Sequence, residues 1–245
     1  AGEQVTIKAI PNAGFSFLIW TEGDEGDVFS TTAEQTFEMP ERNLTVIANF
    51  IGEAEAETIT RWTFDGTLDA AEGAGTAQLI GGTETHSTTV ESGWRMTAFP
   101  EQFTASGTAG VEFMAGTAGF FDIQVSMGHR ASGTMSRWAE FQYTTDGGAS
   151  WQRYGDNNAA LSPHDTVTEY LLDFSDVAGV SDNPDFGVRI VSVFSPVAFN
   201  PEEPDENFAA NTAYHRARTE GTGGGAYSGG GNWRFLDVTV TGKSR

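Results

Sequence analysis

The chain of 245 residues contains no cysteine. A disulfide framework, a thiolate metal site and a cysteine nucleophile are therefore excluded. Positive charge is scarce: 13 Lys and Arg stand against 34 Asp and Glu, a formal net charge of −21. Lysine occurs only at Lys8 and Lys243. A nucleic-acid partner requires a basic face for its phosphates, and a chain of this charge repels polyanions, so no nucleic-acid partner is expected. Long apolar runs are also missing. The longest, Phe17-Leu18-Ile19-Trp20, falls far short of the ~20 residues of a membrane helix, so no membrane insertion is expected. The chain opens on an alternating segment without a leader pattern, as in a cytosolic protein or a mature piece of a secreted one. What is present is apolar area: 38% hydrophobic and 12% aromatic residues supply a core and argue against disorder.

The alternation has the period of strands. Val5, Ile7 and Ala9 fall on one face, with Gln4, Thr6 and Lys8 on the other. Pro11-Asn12-Ala13-Gly14 is a turn, and Phe15, Phe17 and Ile19 alternate after it. Thr36-Phe37-Glu38-Met39 reads as a strand stopped by Pro40, and Leu44, Val46 and Ala48 lead to Phe50. Residues 51–58 are acidic and small, and are expected to be a linker or a single helical turn. From residue 59 to 242, short strand-like runs recur between Gly, Asp, Asn and Ser clusters, the spacing of a sandwich or barrel. Asp146-Gly147-Gly148 between Phe141-Gln142-Tyr143-Thr144 and Trp151-Gln152-Arg153-Tyr154 is a hairpin signal. Residues 68–77 lack a strand pattern, and residues 175–184 have room for a short helical turn. Residues 201–231 form a stretch far longer than an ordinary loop. The basic and aromatic residues Tyr214, His215, Arg216, Arg218 and Tyr227 crowd into it.

Two resemblances rest on these residues. Gly2, Val5, Thr6, Ile7 and Ala9, then Pro11, Gly14, Phe15, Phe17 and Trp20, then Phe37, Met39, Thr45, Val46, Ala48, Asn49 and Phe50 resemble the divergent InlB B-repeat, a small β module of bacterial surface proteins. The resemblance covers residues 1–50. It implies that Phe15, Phe17, Trp20 and Phe37 are core residues. Members of that family usually begin with a further strand, so an edge is expected to be left open here or filled by another segment. Arg61-Trp62-Thr63-Phe64, the segment from Arg137 through Asp146-Gly147-Gly148, the segment from Val180 to Ile190, and the run from Asn232 to Gly242 resemble jelly-roll-like modules of secreted and surface bacterial proteins, similar in architecture to carbohydrate-binding modules. Together these imply an all-β chain: a small β-repeat module at 1–50, a linker at 51–58 and a jelly-roll-like β-sandwich at 59–245, located outside the cell or at its surface.

Candidate chemistry follows the same residues. The His residues 86, 129, 164 and 215 have no zinc-ligand spacing. A structural calcium is the more plausible ion, because it takes hard oxygen ligands. Jelly-roll modules hold such an ion near the joined first and last strands, which points to Asp65, Asp69 and Asp237. There is no Gly-x-Ser-x-Gly elbow and no P-loop ending, and no motif singles out a carboxylate pair for glycoside hydrolysis. Trp62, Trp138 and Trp233 lie in strand patterns and are expected in the core. Trp151 and Tyr154, with Arg153 on the other face of the strand between them, join Tyr214, His215, Arg216 and Tyr227 as the expected binding surface. The function expected is non-catalytic binding of a polysaccharide or cell-surface glycan through ring stacking and hydrogen bonds. The alternatives are a fibre or surface-layer subunit that pairs with copies of itself by strand exchange, and a glycoside hydrolase or lyase with an unrecognised site.

Overall fold

The computed structural model describes residues 2–12, 14–23, 26–52, 54–155, 164, 166–194, 214–218 and 226–244. These residues form strands and turns without a helix, and the chain divides into two compact units after Glu55.

The first unit holds five strands: β1 (Gln4–Lys8), β2 (Phe15–Glu22), β3 (Asp27–Ser30), β4 (Glu34–Glu38) and β5 (Val46–Gly52). β1 pairs antiparallel with β4, and β2 lies between β3 and β5. The alternation read in β1 is realised, with Val5 and Ile7 half-buried and Gln4, Thr6 and Lys8 exposed. A register shift between Phe17 and Ile19 leaves Leu18 in solvent while Trp20 is buried. The Trp20 indole donates to the Thr32 carbonyl at 3.1 Å. Phe17 packs on Trp20 and Phe50, and Phe29 on Phe37. Phe15 departs from expectation. It is 50% exposed and lines an open depression of about 210 Å³ with Ile10, Asn12 and Phe50. A unit this small has too little interior to enclose every aromatic ring. The expected linker also shrinks: β5 runs through Ile51 and Gly52, and the next strand starts at Ala56. Strand pairing overrides the helical leaning of Glu and Ala.

The second unit is a sandwich of two antiparallel sheets. Its strands are β6 (Ala56–Trp62), β7 (Glu72–Gly73), β8 (Thr76–Ile80), β9 (Glu84–Thr89), β10 (Gly93–Thr97), β11 (Gly110–Met114), β12 (Phe120–Ala131), β13 (Trp138–Thr144), β14 (Gln152–Arg153), β15 (Thr168–Asp173), β16 (Gly187–Val193) and β17 (Trp233–Ser244). The larger sheet runs β15-β12-β17-β10-β9, with β6 and β7 joined through β17. The smaller runs β14-β13-β16-β11-β8. β17 closes the unit, pairing β10 through its first residues and β6, the first strand of the unit, through its last. β7 and the start of β8 lie in the stretch 68–77 that carries no strand pattern. Small Gly- and Ala-rich residues hide a strand from periodicity, and pairing with β6 and β11 makes one. Residues 175–184 form successive turns rather than a helix.

Between the sheets lies an aromatic core. Trp62, Trp94, Phe64 and Phe235 surround Phe113, with ring centroids 5.3 to 6.4 Å from it. Each such ring, fully buried, contributes about 1.5–3 kcal/mol. Phe64 reaches this core by leaving the strand pattern: β6 ends at Trp62, and Phe64 adopts a left-handed φ of 57°. Burial offsets that backbone strain. Trp138 is buried as well, but outside this core, in a smaller cluster with Val191 and Val193.

Candidate functional site

The smaller sheet carries a polar row straight across its outer face. Registers align Arg153 with Gln142, Gln142 with Arg189, Arg189 with Glu112 and Glu112 with Gln78. Directly opposed residues on neighbouring strands point to the same face. All five strands therefore contribute one hydrogen-bonding side chain to one line. Gln78 Nε2 donates to Glu112 Oε2 at 2.7 Å, and Arg189 Nε to Gln142 Oε1 at 2.5 Å. Arg189 NH1 lies 3.9 Å from Glu112 Oε1. Beside the row, Glu140 accepts from Gln142 Nε2 and pairs with Arg153 at 3.1 Å. Burial holds the Arg189 guanidinium below its ordinary value, against the opposing pull of Glu112 and Glu140.

Trp151 lies over this row, with the Arg189 guanidinium 4.5 Å from its ring centre. This is cation–π distance. The turn before it sets that position. Thr144 Oγ1 donates to Asp146 Oδ1 at 2.7 Å, and the Ser150 amide and hydroxyl donate to the same carboxylate at 2.9 and 2.6 Å. Those hydrogen bonds from Ser150 and Thr144 hold the Asp146 carboxyl down at about 2. Gly147 and Gly148 take φ of 71° and 89°, which suits glycine. The chain has six tryptophans. Trp20, Trp62, Trp94, Trp138 and Trp233 are buried, and Trp151 alone is half-buried at the surface.

Residues 1–54 match the divergent InlB B-repeat domain. The match covers the first unit. No curated protein matches the chain. Among solved structures, one described as the structural basis for promiscuous specificity of carbohydrate-binding modules from the β-sandwich superfamily is 15% identical. It is similar over 78% of this chain and 86% of that one, with a TM-score of 0.31.

The residues expected to form one binding surface separate into two groups. Trp151 and Arg153 share the outer face of the smaller sheet, contrary to their expected placement on opposite faces. Positions i and i+2 of a strand point the same way, and Arg153 stands in register with Gln142. Tyr154 turns inward instead. Its ring packs on Phe174 at 4.9 Å, and its hydroxyl bridges the Asp173 amide at 2.8 Å and carbonyl at 3.2 Å.

Tyr214, His215, Arg216 and Tyr227 lie elsewhere, near the opposite end of β13. Tyr214 and Tyr227 are buried and stacked on each other at 4.5 Å. Tyr214 also packs on Phe194, and the Tyr227 hydroxyl donates to the Pro100 carbonyl at 2.7 Å. Rings so enclosed present no face to a ligand, contrary to the binding role expected of these two tyrosines. His215 lies edge-on to Trp138 at 5.6 Å, and Arg216 bridges to Ser136. The remainder of the expected loop, residues 201–213 and 219–225, lies outside the described residues.

The expected calcium ligands are not assembled either. Asp237 is clasped by Arg61, whose Nε and NH2 donate to its two oxygens at 2.7 and 2.8 Å. Arg61 thus supplies positive charge to both Asp237 oxygens. Asp69 binds the Thr67 hydroxyl and Asp65 is exposed. Among the described residues no group of three or more His, Asp or Glu is placed to hold a metal. Sequence reading missed Gln78, Glu112, Gln142 and Arg189. Their signal was the polar alternate positions of otherwise apolar strands, which marks a face but not its partners.

Proposed function

We propose that the chain is a non-catalytic extracellular or cell-surface binding module that takes a polysaccharide on the outer face of the smaller sheet. One observation carries this reading. The only tryptophan ring left open to solvent lies over a line of amide, guanidinium and carboxylate groups that crosses every strand of that sheet. A sugar offers an apolar C–H face to such a ring and hydroxyls to such a line, and sites of this kind combine few aromatics with convergent polar groups. The row is preorganised by its own hydrogen bonds, so little side-chain entropy is lost on binding. The B-repeat match over residues 1–54 supports the location.

The two carboxylates of this face do not favour catalysis. Glu112 is held by Gln78 and Arg189, and Glu140 by Gln142 and Arg153. Neither is left free to donate a proton to a leaving group. Strand exchange between copies is expected at an edge of the small module, where β1 pairs only with β4 among the described residues. That two-stranded sheet carries the exposed charges Lys8, Glu34 and Glu38, and charges of this kind discourage edge pairing.

Affinity electrophoresis through neutral polysaccharide gels tests the reading. Retardation is expected for the wild type, and Trp151→Ala is expected to weaken it about tenfold or more, the size of effect at a central aromatic anchor. With every other tryptophan buried, ligand quenching of indole fluorescence should vanish in the same variant. Equal retardation of Trp151→Ala and wild type, or none across a panel of glucans, mannans, xylans and galactans, would overturn it.

A further inference from the structure

The opposite face of the sandwich carries an arrangement that a chain of net charge −21 has little reason to build. On the larger sheet, Arg95 of β10 is in register with Arg234 of β17, and Arg234 with Arg130 of β12. The flanking residues Trp94, Met96, Phe235, His129 and Ala131 are buried, and the three arginines are half-exposed. They therefore form one outward row on three adjacent strands. Neighbouring strands lie about 4.8 Å apart, and like charges directly opposed across strands repel.

Six other basic residues pair with acids. Lys8 meets Glu34, Arg42 meets Glu22, and Arg61 meets Glu72 and Asp237. Arg153 meets Glu140, Arg189 meets Glu112, and Lys243 meets Asp122. Among the described residues, no ion pair reaches Arg95, Arg130 or Arg234, although acids outnumber bases 34 to 13. Glu169, on the same face, leans over Gly128. Burial, then the charges of Arg130 and Arg95, push the Arg234 guanidinium below its ordinary value. Arg95 Nε is buried and has no hydrogen-bond acceptor among the described residues. Next to the row, the Leu236 side chain spreads against Gly93 and Gly128. The two glycines let Leu236 lie close to the sheet, with Val167 and the Glu169 carboxylate over Gly128 beside it.

We infer that the row of Arg95, Arg234 and Arg130 is a second binding site, which takes the sulfate or carboxylate group of a sparsely charged acidic polysaccharide. Guanidinium forks match the planar or tetrahedral oxygens of such groups and bind them with charge-assisted hydrogen bonds. An anion set on the row supplies the missing countercharge. The Leu236 side chain receives the uncharged part of a sugar. Density of charge decides the class of ligand. A chain of this net charge repels a polymer with a phosphate at every unit, whereas a glycan with one acid per repeat meets the row at single points. The site stands on its own geometry; only the choice of a glycan as its bearer rests on the reading of the Trp151 face.

The test uses the intact chain. It is run through gels of κ-carrageenan, with one sulfate per disaccharide, and of highly methyl-esterified pectin, with occasional free carboxylates. Each gel stands beside its uncharged counterpart, desulfated or fully esterified. Expected is stronger retardation by at least one charged gel, with that excess falling about tenfold or more in Arg234→Gln and in Arg130→Gln. Retardation by uncharged gels is unchanged in both variants, and this separates the site from the Trp151 face. In solution, sodium sulfate should raise the Tm of the wild type more than that of Arg234→Gln, which cancels the general stabilising effect of the salt. An equal response of variant and wild type to sulfate, or no excess in either charged gel, overturns the proposal. A sulfate response confined to inorganic sulfate overturns the polysaccharide assignment. So does an oligonucleotide or heparin that binds as tightly as the sparsely charged glycans.

Discussion

Lowering the pH from 7 to 5 should destabilise the second unit by about 2 kcal/mol through one side chain, His129. The imidazole is fully buried, stacked on Phe235 at 4.5 Å and edge-on to Trp233 at 5.2 Å. Its Nδ1 lies 3.0 Å from the Arg234 carbonyl. A carbonyl only accepts, so Nδ1 carries the proton. Nε2 has no partner among the described residues, and a proton added there would charge the ring in an apolar core. Burial accordingly pushes the pKa from 6.5 down to about 4, with the Arg234 carbonyl opposing. The unfolded chain takes up a proton below about 6.5, and the folded unit does so only near 4. Stability from the neutral ring is thus complete above pH 6.5 and lost as pH falls from 6.5 towards 4. The loss is about 2 kcal/mol at pH 5 and about 3 kcal/mol at pH 4. Urea denaturation of wild type and His129→Phe at pH 7, 5 and 4 measures it. Phenylalanine keeps an aromatic ring in the stack and removes the titration. The relief of carboxylate repulsion on acidification acts on both proteins and cancels in the difference. In thermal scans the difference at pH 5 corresponds to about 4–8 °C. Parallel stability–pH profiles for the two proteins would refute the reasoning.

Two further substitutions read the sandwich itself. Tyr154→Phe removes the hydroxyl that bridges both backbone groups of Asp173. It should cost about 1–2 kcal/mol and speed hydrogen exchange at the Asp173 amide; unchanged exchange there would count against that bridge. Gly110→Ala places a Cβ 1.8 Å from the Ile190 carbonyl oxygen, within the pairing of β11 and β16. A loss of about 3 kcal/mol or more in thermal denaturation is expected, and a wild-type Tm would show that the two strands do not approach so closely.

The Trp151 and arginine sites show how legibility divides. The turn Asp146-Gly147-Gly148 was readable, because those residues favour tight, left-handed backbone wherever they occur. Trp151 was named with it. Arg189, its cation–π partner, is 38 positions further on, and no local pattern links them. Arg95, Arg130 and Arg234 are unremarkable as single residues in a strand pattern. Their meaning comes from the registers that stack them. In the other direction, Tyr214 and Tyr227 looked like a binding loop because they were aromatic, polar-flanked and outside any strand pattern. Phe194 and Pro100, which help enclose them, are distant in sequence.

Sequence alone determined the strand class, the small leading module, most turns, and the buried state of Trp62 and Trp233. These depend on the two-residue period of apolar side chains and on the backbone preferences of Gly, Pro, Asn and Asp, which act over a few residues. Tertiary structure decided which strands are neighbours, in what register, and therefore which polar groups stand in line. It placed Arg61 against Asp237, opened Trp151 and closed Tyr214. Those outcomes follow from long-range pairing and burial, where the free energy of a side chain is set by groups from 20 to 176 residues away in sequence.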